Sequence, residues 1–260
     1  MDLDSVLQQG TASAPAVEPV VCLPPQKVMD SMRKIELLLL LGITIAPFIA
    51  SAISLYILYR GVWPNSPLPS YASFSMSIKL VHEVGGMGLL LYILLRQGRS
   101  LRDIGFSFRW TDIPIGVGLM VLSCIAAMIG RFFANLIYIS WTDRTVAPWN
   151  GGTALLGTHV SILLVVFLVV NAFFEELIVR AYFTSELMCW KNNAALAGVM
   201  SVLVQALYHI YQGVPNMISA AALFTVYAIY YAKTRRILPI IVSHFLVDAV
   251  IAWFFFSYRV

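Results

Sequence analysis

Seven apolar stretches run through this chain, at approximately 35–59, 74–95, 113–140, 156–182, 194–212, 215–232 and 237–257. A hydrocarbon core of about 30 Å is crossed by roughly 20 mostly apolar residues in a helix. Lipid offers no partner for backbone N–H and C=O groups, so chains with this pattern cross it as helices. Composition agrees, because 60% of residues are hydrophobic and only 12% charged. A soluble domain carries about 25% charged residues. The expected fold is therefore all-α: a polytopic membrane bundle of about seven to eight transmembrane helices. An eighth helix has room in 98–112 or 183–192, lying along the interface.

Loop charges set the expected orientation. With the N-terminus inside, Lys27, Arg33, Lys34, Arg96, Arg99, Arg102, Arg109, Lys191, Lys233, Arg235 and Arg236 fall on the cytoplasmic side. Only Arg60, Arg144 and Arg259 fall outside, so the bias favours a cytoplasmic N-terminus and an outside C-terminus. Residues 1–34, with prolines at 15, 19, 24 and 25 and no signal-peptide core, read as a flexible cytoplasmic tail. N-terminal transmembrane helices follow over 35–152 and motif-bearing helices over 153–260. The loops 61–69 and 143–152 carry the proline, glycine and asparagine of turns. Cys22, Cys124 and Cys189 have neither disulfide-framework nor metal-ligand spacing. A net charge of +4 follows from topology and implies no nucleic-acid partner. No internal repeat suggests a transporter.

Ionisable residues at mid-membrane cost about 2.5–3.5 kcal/mol by insertion scales and need a reason. They gather in three segments: NAFFEELIVRAYF (171–183), VQALYHIYQG (204–213) and LPIIVSHFLVDAV (238–250). Residues four apart share a helix face, so Glu176 and Arg180 can pair. Glu175 is turned about 100° from Glu176 and has no local partner, as a general base requires. A purely structural alternative has Arg180 tying down both glutamates. His209 follows Gln205 by one turn and, alone, suits a core role as well as a chemical one. His244 and Asp248 are again four apart. They suit an oriented imidazole, a two-donor clamp on a carbonyl, part of a metal site, or a packing hydrogen bond. Together the three segments imply a polar intramembrane cavity with hydrolytic or proton chemistry. Lys79, His82 and Glu83, in the second stretch, read as a local pairing near its outer end.

The order EExxxR, then a histidine, then HxxxD resembles the CAAX-endopeptidase and bacteriocin-processing family (CPBP, or Abi) of intramembrane glutamic proteases. The matching residues are Glu175, Glu176 and Arg180, then His209, then His244 and Asp248. The resemblance covers about 160–255, with softer echoes in LRDIGF (101–106) and YYAKTRRILPIIVSHFLVDA (230–249). It implies that Glu175 and His209 activate a water, that His244 and Asp248 form the oxyanion site, and that Glu176 and Arg180 support them. It implies no cofactor, and as partner a membrane-bound protein or peptide substrate within the lipid bilayer. Three positions depart from the pattern. Gln205 stands where phenylalanine is usual, Ala181 where glycine is common, and Asp248 where asparagine also occurs. Aspartate donates a hydrogen bond only when protonated.

Two alternatives stand beside this reading. One is a zinc peptidase with Glu175, His209 and His244 as ligands, although HExxH is absent. The other is a non-catalytic scaffold or chaperone that keeps the cavity. One conflict of depth also stands. His244 lies about seven residues from the cytoplasmic end of its stretch and His209 about sixteen, a difference near 14 Å at 1.5 Å per residue. The two meet only if a helix tilts, breaks or re-enters, with Gly213 and Pro215 as break points.

Overall fold

The computed structural model describes residues 27–58, 72–142 and 160–257, and every regular element among them is helical. The expected tail over 1–26, the loops 61–69 and 143–152, Arg60, Arg144, Arg259 and His159 lie outside the described residues. The elements are α1 (Lys27–Thr44), α2 (Ala46–Tyr56), α3 (Ala72–Arg96) and α4 (Asp112–Thr142). Then come α5 (Ile162–Glu175), a π-helical segment (Glu176–Phe183), α6 (Thr184–Lys191), α7 (Ala194–Leu207), α8 (Val214–Thr234) and α9 (Leu238–Ser257).

Among the described residues, six helices are long and apolar enough to cross a membrane: Ser31–Tyr56, Met76–Arg96, Asp112–Trp141, Ile162–Lys191, Val214–Thr234 and Leu238–Ser257. The chain is thus an integral membrane protein with an all-α bundle. Three boundaries differ from the sequence expectation. The first helix begins at Lys27 rather than 35, extending into the expected tail. Residues 183–192 form no separate interfacial helix; α5, the π segment and α6 run on as one 30-residue span, Ile162–Lys191. The stretch 98–112 holds only a 3-10 turn, Leu101–Ile104.

The largest difference lies at the segment that carries His209. The expected span 194–212 is a helix of only 14 residues, α7. At 1.5 Å per residue it covers about 21 Å, too little for a hydrocarbon core of about 30 Å. Asn193 caps its start by accepting from Leu196 N–H at 2.9 Å. After Leu207 the chain turns: His209 N–H donates to Ala206 O at 3.0 Å and Gln212 N–H to His209 O at 3.0 Å. Gly213 takes φ +96°, a region open to glycine, and Pro215 lies in the first turn of α8. The break falls at the residues the sequence offered for it, and it leaves His209 at the inner end of a half-length helix.

Close helix contacts shape the rest. A Cβ at Gly116 would lie 2.6 Å from Val242 Cγ1, and one at Gly130 would lie 2.8 Å from Ala222 Cβ, which draws α4 against α9 and α8. Small residues at such crossings let membrane helices approach closely. Gly105 sits where a Cβ would lie 1.9 Å from Arg235 O, and Ile237 N–H donates to Gly105 O at 3.1 Å. The LRDIGF and RRILP stretches therefore meet backbone to backbone. Side chains such as Ile125, Met128 and Phe133 of α4 stay exposed, as a lipid-facing surface requires.

At this basic end of the bundle Glu186 is fully buried and holds two arginines. Arg33 Nη2 donates to Glu186 Oε2 at 2.8 Å, and Arg99 Nη1 donates to Glu186 Oε1. Gln97 donates to Glu36 at 2.8 Å and to Tyr182 at 3.1 Å, so α1, the turn after α3 and the π segment are tied together. Cys124 is a free thiol.

Candidate active site

The site begins where α5 gives way to the π segment. Glu175 is the last α-helical residue and Glu176 the first of the wider turn. Such turns are rare and appear mostly at functional sites. Thr184 Oγ donates to Val179 O at 3.2 Å, occupying a carbonyl at the end of the widened segment. The π geometry alters the angular spacing assumed for an α-helix, but the expected pair survives. Arg180 Nε lies 3.4 Å from Glu176 Oε2, with both side chains fully buried.

That pair is embedded in a polar frame. Gln205 of α7 stands between the two charges: its carbonyl accepts from Arg180 Nη2, and its amide donates to Glu176 Oε1 at 3.1 Å. Ser201, one turn earlier, accepts from Arg180 Nη1. The Arg180 guanidinium also lies 5.9 Å from the Phe224 ring centroid, within cation–π range. Gln205, a departure from the family pattern, thus joins the glutamate and the arginine. Ala181, another departure, is fully buried, and its carbonyl accepts from Tyr231 OH at 3.1 Å.

His244 comes in from α9. Its Nδ1–H donates to Glu176 Oε1 at 2.8 Å. Its Nε2 then faces two further carboxylates, Asp248 Oδ2 at 3.6 Å and Glu175 Oε2 at 3.9 Å. Glu175 is otherwise held by the Tyr208 hydroxyl, which donates to Oε2 at 2.6 Å. The two glutamates therefore differ as expected. Glu176 is locked by Arg180, Gln205 and His244, whereas Glu175 has no arginine and meets only neutral donors and the far side of His244.

His209 is placed less directly. Its Nδ1–H donates to Gln205 O at 2.8 Å, so a neutral ring keeps its lone pair on Nε2. The ring packs 4.8 Å from that of Tyr208 and 5.3 Å from that of Phe224, while His244 lies 5.8 Å from the other side of Phe224. The break after α7 thus brings both histidines around one phenylalanine, but His209 makes no hydrogen bond to a carboxylate among the described residues. Nor are three or more His, Cys, Asp or Glu side chains among those residues arranged to hold a metal ion.

The structure adds side chains that sequence reasoning left aside. Tyr208, next to His209, is one of them. Asn171, one turn before Glu175, faces both carboxylates with one end of its amide, and assigning the NH2 to that end lets it donate to Glu175 Oε1 at 3.3 Å and Glu83 Oε1 at 3.2 Å. Glu83, expected to pair locally near the outer end of its span, is 1% exposed and belongs to this cluster. Its signal was available: Glu83 is residue 12 of the 25 in α3 and so lies at mid-span. His82 reaches across to α1, its Nε2 donating to Thr44 O at 3.0 Å where the first helix breaks before Pro47.

The fold and the site define a class: a polytopic helical membrane protein with carboxylates and histidines brought together from α3, α5, the π segment, α9 and the turn after α7. Residues 157–250 match a family model described as type II CAAX prenyl endopeptidase Rce1-like. That segment carries all three motifs and agrees with the resemblance read from them. It points to proteolysis at a membrane as the broad activity. No curated protein and no solved structure matches the chain.

Proposed function

We propose that this protein is an intramembrane peptidase that hydrolyses a peptide bond in a membrane-associated protein or peptide, with Glu175 as the base. The observation that carries this reading is the unequal pair of glutamates, one charge-locked and one free of any arginine, at the centre of a 30-residue span. Glu175 takes a proton from water as the water oxygen bonds to the scissile carbonyl carbon. His244 donates to the oxyanion that develops, a contribution worth about 3–4 kcal/mol per donor in a soluble protease. The C–N bond then breaks, and the proton held by Glu175 passes to the leaving amine, with the His209 imidazole assisting either transfer through its free nitrogen. Asp248 assists as a donor in its protonated form, or orients His244 in its ionised form. Glu176, Arg180 and Gln205 hold His244 in place.

Loop charges favour a cytoplasmic N-terminus and an outside C-terminus, which opens the site to substrate from the cytoplasmic side. Purified protein incubated with a farnesylated peptide ending in a CAAX box tests the activity directly. Cleavage by wild type that is lost in Glu175→Gln and persists with a chelator supports the glutamic mechanism. Loss with a chelator, restored by zinc, favours the metallopeptidase. Equal and negligible cleavage by both proteins, for this and other membrane peptides, favours the scaffold.

A further inference from the structure

We propose that Glu83 and Asn171 form a positioning pair that fixes the orientation of Glu175 from the side opposite Tyr208. The inference rests on the reading of Glu175 as the base and adds to it a second helix, α3. Three independent features point to the pair.

The first is the bridge. With its NH2 assigned to the side that faces only acceptors, the Asn171 amide spans the two carboxylates, 3.3 Å from Glu175 Oε1 and 3.2 Å from Glu83 Oε1. An amide is suited to this place because its NH2 carries two donors, whereas a hydroxyl has one and a carboxylate none when ionised. Glu175 is then gripped on both oxygens, Oε1 by Asn171 and Oε2 by Tyr208 at 2.6 Å. A carboxylate held at both ends keeps a fixed lone-pair direction toward its water, which is the geometric condition for efficient base catalysis.

The second is the burial of Glu83. It is 1% exposed, and its Oε2 has no hydrogen-bond partner among the described residues. A carboxylate left in that state in a membrane helix is costly, so a merely decorative role is improbable on energetic grounds. The third is Gly86, three residues along α3. A Cβ there would lie 2.7 Å from Phe174 Cε2 and 2.8 Å from Thr44 Cγ2. The missing side chain lets α3 approach α5 beside Glu175, and that approach brings Glu83 to Asn171.

The pair is read from kcat rather than from binding. Glu175 is faced by Glu176 on its own span, Glu83 and Lys79 on α3, Tyr208 and Tyr211 beyond α7, and His244 and Asp248 on α9. In Glu83→Gln the carbonyl oxygen still accepts from Asn171, so the bridge is retained. In Asn171→Ala the grip itself is lost, and kcat falls roughly tenfold or more with KM little changed.

The experiment uses the full chain in detergent with a farnesylated CAAX-box peptide, comparing wild type, Glu175→Gln, Glu83→Gln and Asn171→Ala. Thermal unfolding of the same proteins and the double variants runs beside it. Cleavage unaffected by Glu175→Gln sinks the base reading, whatever the pair does. With that reading intact, a kcat unchanged in Asn171→Ala overturns the inference, because a merely structural amide lowers yield without lowering the kcat of the folded enzyme. The unfolding cycle decides the pair even without turnover. The Tm change caused by Glu83→Gln is expected to shrink strongly in the Asn171→Ala and Glu175→Gln backgrounds, and additive changes overturn the bridge.

Discussion

Glu175 and Glu186 lie on the same continuous span, Ile162–Lys191, and both are buried, yet their surroundings are opposites. Glu186 sits between Arg33 and Arg99, each donating directly to its carboxylate. Glu175 has a tyrosine hydroxyl and an asparagine amide, and its nearest cation-forming group, His244 Nε2, stands at 3.9 Å and is shared with Asp248. A buried carboxylate with two guanidinium partners is a structural joint, since removing either side strands a charge. One held by neutral donors keeps its proton affinity available for chemistry. Residue type and burial alone do not separate the two roles; the partners do.

The sharpest way to break this comparison is to neutralise each glutamate in turn. Glu175→Gln is expected to lower cleavage by about 10²–10⁴-fold, the range of a positioned acid–base group, while expression and Tm hold. Glu186→Gln is expected to do the reverse, leaving Arg33 and Arg99 without their counter-charge. Breaking a buried pair costs about 3–5 kcal/mol, read as a lower Tm and lower abundance in membranes. Loss of activity without loss of stability in Glu186→Gln contradicts the division.

His244→Ala is expected to lower kcat by about 10²–10³-fold through loss of the oxyanion donor. It also frees Glu176 from a 2.8 Å hydrogen bond, so a modest fall in Tm accompanies it. Asp248→Asn is expected to stay active, since an amide supplies the same donor without a proton requirement. A folded but inactive Asn variant points instead to an ionised Asp248 that charges His244.

The smallest expected effect lies outside the membrane spans. Ser100 N–H donates to Asp103 Oδ2 at 2.6 Å, and that backbone bond leads the causes holding the Asp103 carboxyl below its usual range. A depressed folded-state pKa stabilises above the unfolded value and loses that contribution as pH falls through the folded one. Asp103→Ala is therefore expected to lower Tm slightly at neutral pH, a cap being worth about 1 kcal/mol or less here, with the gap closing in acid.

Much of the bundle was legible because apolar runs of membrane length have few other uses. The half-helix α7 was not, because its residues are as apolar as those of a full span. Only the distance between His209 and His244, together with Gly213 and Pro215, betrayed it. The inequality of Glu175 and Glu176 was legible from Arg180 four residues on, even though a π turn replaces the α geometry that argument assumed. Asn171 and Glu83 were hidden for a different reason. Each is ordinary within its own helix, and their meeting depends on how α3 packs against α5, which Gly86 permits but no local pattern announces.

The central claim, that the chain cuts membrane-associated polypeptides with Glu175, is tested most directly in membranes from cells expressing wild type or Glu175→Gln at matched levels. New protein N-termini and C-termini are compared between the two. The account predicts cleavages present only with wild type, which would also name the substrates. Matching profiles, with both proteins folded and abundant, would contradict it and leave the unequal glutamates as part of a scaffold.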